Sequence, residues 1–228
     1  MDGDLEVIIG AYDHRLWVWL HDGMLMDGWP QLTGTSNLAG IMATPAVANL
    51  DPSDETPEIA VGTKNNSLYA WHANGNLVSG FPVATNGGIQ SSAALGDIDS
   101  DSDFEIVLGF ANTFGNGGVI AFHHTGQMVL GFPYNTSEAV QSTPVLGDFS
   151  GDGDIEIIFG CDNEYVHVID LPGVFNPENC PWPQFHYDAQ NLGYQSNASI
   201  LSADNPKVIP LLAVFVVVLY YKSLKKRQ

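Results

Sequence analysis

The chain predicts an all-β fold built from a repeated sheet of four antiparallel strands, and three observations carry that expectation. Acidic loops of one spacing recur about fifty residues apart, and each runs straight into a short segment rich in Ile and Val. A second motif, aromatic and closed by Gly, an aromatic residue and Pro, recurs in phase with them. No stretch before residue 200 sustains a 3.6-residue apolar period, and Gly and Pro interrupt every candidate helix.

The acidic loops make the strongest chemical demand. Asp97, Asp99, Asp101, Asp103 and Glu105 occupy alternate positions and lead into IVLGF. Asp148, Ser150, Asp152, Asp154 and Glu156 repeat the pattern before IIFG. A degraded copy runs through Asn49, Asp51, Asp54 and Glu58, and the chain opens on Asp2, Asp4 and Glu6 before VIIG. Carboxylates this close repel one another unless a cation sits among them. Flexible, oxygen-rich loops suit calcium, which takes six to eight oxygen ligands. Spacing excludes an EF-hand, whose loop needs a Glu at position twelve and flanking helices. Position twelve here is Leu108 or Phe159, and the last acid falls at position nine with a strand directly after it. Gly153 takes a turn position where positive φ costs little, and Ser102 holds the matching place in the neighbouring copy. An acidic, solvated turn is the alternative.

The remaining elements follow from the second motif. WVWLHDGMLMDGWP, YAWHANGNLVSGFP and IAFHHTGQMVLGFP align without a gap, and ATPAVANLD, SSAALGDID and STPVLGDFS precede the loops. HDG, ANG and HTG between alternating apolar runs read as hairpin turns. Each period thus reads as four strands, near 91–96, 104–110, 117–123 and 127–132 in the clearest copy. Four-stranded antiparallel units at this period point to a β-propeller. About three and a half to four blades are present, with repeats near 1–40, 41–88, 89–139 and 140–195. Trp19, Trp71 and Phe122, with Trp29, Phe81 and Phe132, are expected between blades. His21, His72 and His124 recur near the turns and are expected to be structural.

With those residues in view, the loops resemble the FG-GAP, or VCBS-type, repeats of integrin-α-like β-propellers, over roughly residues 1–195. The resemblance implies that each loop joins two strands of a blade and binds calcium. It implies side-chain ligands at Asp97, Asp99, Asp101 and Glu105 with the Asp103 carbonyl, and at Asp148, Ser150, Asp152 and Glu156 with the Asp154 carbonyl. Ser150 replaces a carboxylate by a neutral hydroxyl, which weakens its site. PWPQFHYDAQNLGY (181–194) is similar to a WPxFxxD stretch near the ends of secreted repeat propellers and is expected to supply a closing strand. Only part of the first loop is present, so the expectation is the C-terminal part of a larger propeller; a compact four-bladed object is the alternative.

Charge narrows the partners. The formal net charge is −19, and Arg15 and Lys64 are the only strong bases before residue 207. Such a surface repels phosphate backbones and argues against nucleic acid. Residues 196–206 read as a linker. Residues 207–228 read as a membrane anchor, a C-terminal transmembrane helix over VIPLLAVFVVVLYY with the basic tail KSLKKRQ. Its 14 apolar residues fall short of the about 20 that cross a bilayer squarely, but flanking Lys and Tyr can snorkel. The positive-inside rule places that end in the cytoplasm and the propeller outside. A processed sorting signal is the second membrane reading, and a packed soluble terminus the third. Cys161 and Cys180 suit either a disulfide, worth roughly 3 kcal/mol in the chain-entropy model, or two reduced core thiols.

No HExxH, GxSxG, GxGxxG or phosphate-cradling loop is present. The expectation is therefore a non-enzymatic, calcium-binding extracellular propeller tethered at the cell surface, with protein or glycan partners. The propeller of a secreted polysaccharide-active or quinone-dependent enzyme, and a surface-layer component, are the alternatives.

Overall fold

Alternating apolar residues, punctuated by Gly and Asn turns, build four antiparallel sheets in the computed structural model, which describes residues 5–36, 40–50, 56–188 and 193. The first sheet orders β1 (Val7–Gly10), β2 (Arg15–Trp19) and β3 (Gln31–Leu32). The second holds β4 (Ala46–Ala48), β5 (Glu58–Thr63), β6 (Ser67–His72) and β7 (Val83–Ala84) in sequence order. The third repeats it with β8 (Ala94–Gly96), β9 (Glu105–Ala111), β10 (Gly117–Phe122) and β11 (Tyr134–Thr136). The last comprises β12 (Val145–Gly147), β13 (Asp154–Gly160) and β14 (Val166–Val174). The chain divides into two compact units, 1–195 and 196–228. The linker and the expected transmembrane helix lie outside the described residues. Among those described, no helix is long and apolar enough to cross a membrane.

Register follows the repeat. Ile59 faces Trp71, Ile106 faces Phe122 and Val7 faces Trp19 across their hairpins, so equivalent residues occupy equivalent places in three sheets. Two expectations need correction. The last sheet has three strands among the described residues, not four, and the first, expected to be incomplete, also has three. The fourth strand of the third sheet lies at 134–136, not 127–132. Residues 127–132 instead form a turn, where the Val129 N–H bonds the Ala121 carbonyl, Phe122 bridges Met128, and the chain turns at Gly131 with φ 96° before Pro133. Regular pairing resumes only past that corner.

Sheets pack on their sequence neighbours. Leu16, Val18 and Trp29 of the first sheet share a core with Ile59, Val61 and Trp71 of the second. Ala60, Leu68 and Ala70 meet Leu95, Ile106 and Leu108 of the third. Val107, Val119 and Ala121 meet Ile155, Ile157 and Phe159 of the fourth. Each such aliphatic side chain contributes about 1.5–3 kcal/mol when fully buried. Every residue of β5 and β10 is buried, because both inner sheets are covered on two faces. A glycine repeats at each junction for want of space. A Cβ on Gly62 would lie 2.1 Å from Ile89 Cγ2, and one on Gly109 would lie 2.7 Å from Val140 Cγ1.

The segment after β14 does not form a closing strand among the described residues. A 3₁₀ turn at Pro177–Asn179 leads to a strap across the short strands β12 and β8. Leu95 and Trp182 exchange backbone hydrogen bonds at 2.8 and 3.3 Å, and the Leu146 N–H bonds the Pro183 carbonyl at 2.9 Å. His186 Nε2 reaches Thr44 Oγ1, 3.3 Å away just before β4. Cys161 and Cys180 are buried free thiols, and burial pushes Cys180 up to about 12.

Candidate metal centres

The loop between β8 and β9 is shaped by its own first and last acids. Asp97 Oδ1 accepts the Ser100 N–H at 2.7 Å and Oδ2 accepts the Ser102 N–H at 3.2 Å. Asp148 does the same for Gly151 and Gly153 in the loop between β12 and β13, at 2.6 and 3.2 Å. The ninth-position acid closes each loop from the strand side. Glu105 Oε2 accepts from Ile98 N–H at 2.9 Å, Glu156 Oε2 from Phe149 N–H, and Glu58 Oε2 from Leu50 N–H at 2.7 Å. Asp101 and Asp152 each cap the amide two residues on.

These turns need positive φ twice per loop. Ser100 and Ser102 adopt φ 64° and 77°, and Gly151 and Gly153 adopt 81° and 95°. Ser102 therefore shares the backbone state of its glycine counterpart. Nothing lies within 4 Å of a Cβ built on Gly153. Gly153→Ala is thus expected to cost about 1–2 kcal/mol through left-handed backbone strain alone, read as a lower urea midpoint with an unchanged m-value.

Two groups of side chains are placed to hold a metal ion. Asp99, Asp101, Glu105 and His123 bring one ligand atom each within 4.8 Å of the others, and so do Asp148, Asp152 and Glu156. Ligands around one ion with 2.3–2.6 Å bonds are separated by at most about 5 Å, so both groups fit a single cation. The Asp103 carboxylate stands outside the first group, 3.1 Å from His124 Nδ1. Asp97 is 5 % exposed and, with Asn179 Nδ2 also at 3.4 Å, serves the loop backbone. The Asp154 side chain is outside the second group, while the Ser150 hydroxyl favours the ionised forms of Asp152 and Glu156. In the degraded copy Glu58 is fully buried and Asn49 half-buried; Asp51 and Asp54 lie outside the described residues, as do Asp2 and Asp4. Glu6 is half-buried.

His123 is the member that sequence reading missed. Its Nδ1 lies 3.0 Å from Glu105 Oε1, and His72 Nδ1 lies 3.1 Å from Glu58 Oε1 in the preceding repeat. Glu58 pairs with His72 in register across β5 and β6, so counting back from the hairpin turn identifies the partner. The histidines that correspond are His72 and His123; the earlier grouping with His21 and His124 is one place off. A repeated Glu–His pair orients the ninth-position carboxylate, the outer-shell role that supports a metal ligand. His167 stacks on Phe159 and takes no part.

The two loops differ electrostatically. Burial, then the charges of Asp99, Asp101 and Asp97, push Glu105 up to about 9 against the Ile98 N–H, which lowers it. Burial and Asp101 also raise Asp99. In the second loop the Ser150 hydroxyl and the Phe149 N–H hold Glu156 below the usual carboxylate range, and the Asp154 N–H with Ser150 lowers Asp152. Burial in the first loop therefore favours the protonated form of Glu105, while hydrogen bonds in the second favour the ionised form of Glu156. Residues after β13 link them: Ser100 Oγ accepts the Val174 N–H at 3.0 Å, and the Gly153 carbonyl accepts the Phe175 N–H at 2.9 Å.

Fold and site together define an all-β repeat protein with acidic loops between the first two strands of its sheets. No family model and no curated protein sequence matches the chain. Among solved structures it is similar to the Dos1 propeller, at 17% identity and TM-score 0.49, over 75% of this chain and 44% of that one. The V. cholerae biofilm matrix protein Bap1 is similar at 17% identity and TM-score 0.48, over 72% of this chain and 28% of that one. The computationally designed Ika4 protein is similar at 18% identity and TM-score 0.45, over 73% and 85%. Likeness at this level says nothing about function.

Proposed function

We propose that the chain is a calcium-binding β-propeller scaffold of the FG-GAP or VCBS kind, tethered at the cell surface with its propeller outside. In this reading the C-terminal segment is the anchor, and loops on the rigid scaffold bind protein or glycan partners, as loops on such scaffolds commonly do. One observation carries it: three acidic side chains converge in each of two successive loops, and the fifth- and ninth-position acids take part in both. Calcium fits better than a softer ion because the shared donors are carboxylate oxygens. Asp99, Asp101 and Glu105 would hold one ion, and Asp148, Asp152 and Glu156 another. The ion supplies charge neutralisation at the strand corners, so metal affinity becomes folding stability.

Calorimetric titration of calcium into the chelator-treated protein tests this. At least two ions per chain are expected, and Glu156→Gln is expected to remove one of them while leaving the other. Absence of any binding heat, with no change in intrinsic tryptophan fluorescence, would refute the calcium reading.

A further inference from the structure

We infer that the face opposite the acidic loops is a saccharide-binding surface, suited to a neutral polysaccharide. Such a surface gives a ligand class to the recognition role proposed above and rests on that role, but it needs nothing from the metal centres. Each acidic loop lies where the second of its paired strands begins, and a tight turn lies where that strand ends. β9 and β13 have seven residues each, so loop and turn stand roughly 20 Å apart. The turns line up along one face because hydrogen bonds tie each to the connections between sheets. In successive connections the Ile41, Ile89 and Val140 N–H groups bond the carbonyls of Ala11, Thr63 and Phe110, where β1, β5 and β9 end. The same connections reach the turn that follows. The Asn65 amide bonds the Thr33 carbonyl, Gly88 and Ala111 exchange two backbone bonds, and the Asp162 N–H bonds the Ala139 carbonyl.

Three of the four turns carry an aromatic ring in water. Tyr12, Phe114 and Tyr165 are 67, 89 and 69 % exposed. Covering such a ring removes 150–250 Å² of surface from water, so folding alone gives no reason to leave one at three matching turns. The remaining turn borders a cleft of about 430 Å³ between the second and third sheets, within the range of small-ligand sites. Lys64, Asn66, Gln90, Asn112 and Thr113 line it, and among the described residues no acid does. In a chain of 26 acids and 7 strong bases, a cleft free of carboxylates is a local exception. Lys64, Gln90 and Asn112 are half-buried there. The Lys64 and Gln90 side chains bond no protein group among the described residues, whereas Arg15, the other strong base before residue 207, is 3.7 Å from Asp13. Asn112 Oδ1 accepts the Phe114 N–H at 2.9 Å, so the cleft wall and the most exposed of the three rings belong to one turn.

This chemistry selects a neutral sugar polymer. Amide and hydroxyl side chains both donate and accept hydrogen bonds, as sugar hydroxyls do, and the C–H face of a pyranose ring lies flat on an aromatic one. The Lys64 ammonium adds three donors for hydroxyl oxygens. An acidic polysaccharide would be repelled by a net charge of −19, which one lysine does not offset. A protein partner calls for a contiguous apolar patch, and these rings stand singly on separate turns.

Co-sedimentation of the full chain, in mild detergent with calcium, on insoluble cellulose, chitin, curdlan and mannan tests this, with an alginate gel as the acidic counterpart and casein resin as the protein one. Retention is expected on at least one neutral polysaccharide and on neither counterpart. Phe114→Ala and Gln90→Ala, each shown by circular dichroism to keep its β signal, are each expected to weaken that retention by about tenfold, the loss that one good contact brings. No retention on any neutral polysaccharide would overturn the inference, as would equal retention on alginate or retention that neither variant weakens. Retention on casein alone would also overturn it, while leaving a recognition role for the face in place. The calorimetric titration reads the calcium sites separately.

Discussion

Stripping divalent cations from this chain is expected to lower its melting temperature by roughly 10–20 °C. A ligand at a hundredfold its dissociation constant stabilises a protein by about 2.7 kcal/mol per site, and two loops converge ligand atoms. At this chain length each kcal/mol moves the midpoint by about 2–4 °C. Calcium added back after chelation should restore the transition, and magnesium should do so poorly, because it demands tighter octahedral geometry. Glu105→Gln with Glu156→Gln should place the midpoint near that of the stripped protein and make it indifferent to chelator. The effect reaches past the loops themselves. The Val174 and Phe175 N–H groups hang on the two loops, one from the Ser100 hydroxyl and one from the Gly153 carbonyl, and the strap they begin bonds β8 and β12. A melted loop would therefore release the strap over the inner strands as well.

The second large effect is an inversion of pH dependence by the metal. Without a cation, Glu105 titrates at about 9 folded against 4.5 ordinarily. Between those values the folded state binds the extra proton, so stability falls as pH rises. That contribution is complete below 4.5 and gone above about 9. Calcium replaces the proton, so its affinity should rise with pH over the same window, and near neutrality binding should release about one proton. Glu156 works oppositely, because its folded carboxyl is held low; its contribution is present at neutral pH and lost as pH falls through the carboxylate range. Glu105→Gln isolates the first behaviour. Titration in buffers of different ionisation enthalpy should show proton release in the unmodified chain and its loss in the variant. Equal heats in both buffers would contradict the account.

Much of this architecture was legible because the repeat writes the same instruction several times. Glu58, Glu105 and Glu156 sit at the same distance before an Ile-rich run, and each proves to close its loop by accepting a backbone N–H. What escaped reading depends on pairing across strands or on distant chain. His123 is silent in a linear scan, since its meaning comes from lying opposite Glu105 across a hairpin. The strand at 134–136 was displaced because an aromatic, apolar run up to Phe132 looks extended, while Gly131 and Pro133 turn it. The strap from Asn179 to Pro183 looks like another strand in sequence. Its partners Leu95 and Leu146 lie in two different sheets, and no local pattern announces that. Ser102 illustrates the opposite case: its side chain gives no hint of positive φ, but the Asp97 carboxylate draws its N–H inward and imposes it.

Anomalous scattering from crystals grown with calcium addresses the central claim most directly. The account predicts one peak enclosed by Asp99, Asp101 and Glu105, and a second enclosed by Asp148, Asp152 and Glu156. Difference maps with no peak at either loop, and carboxylates turned apart toward solvent, would contradict it.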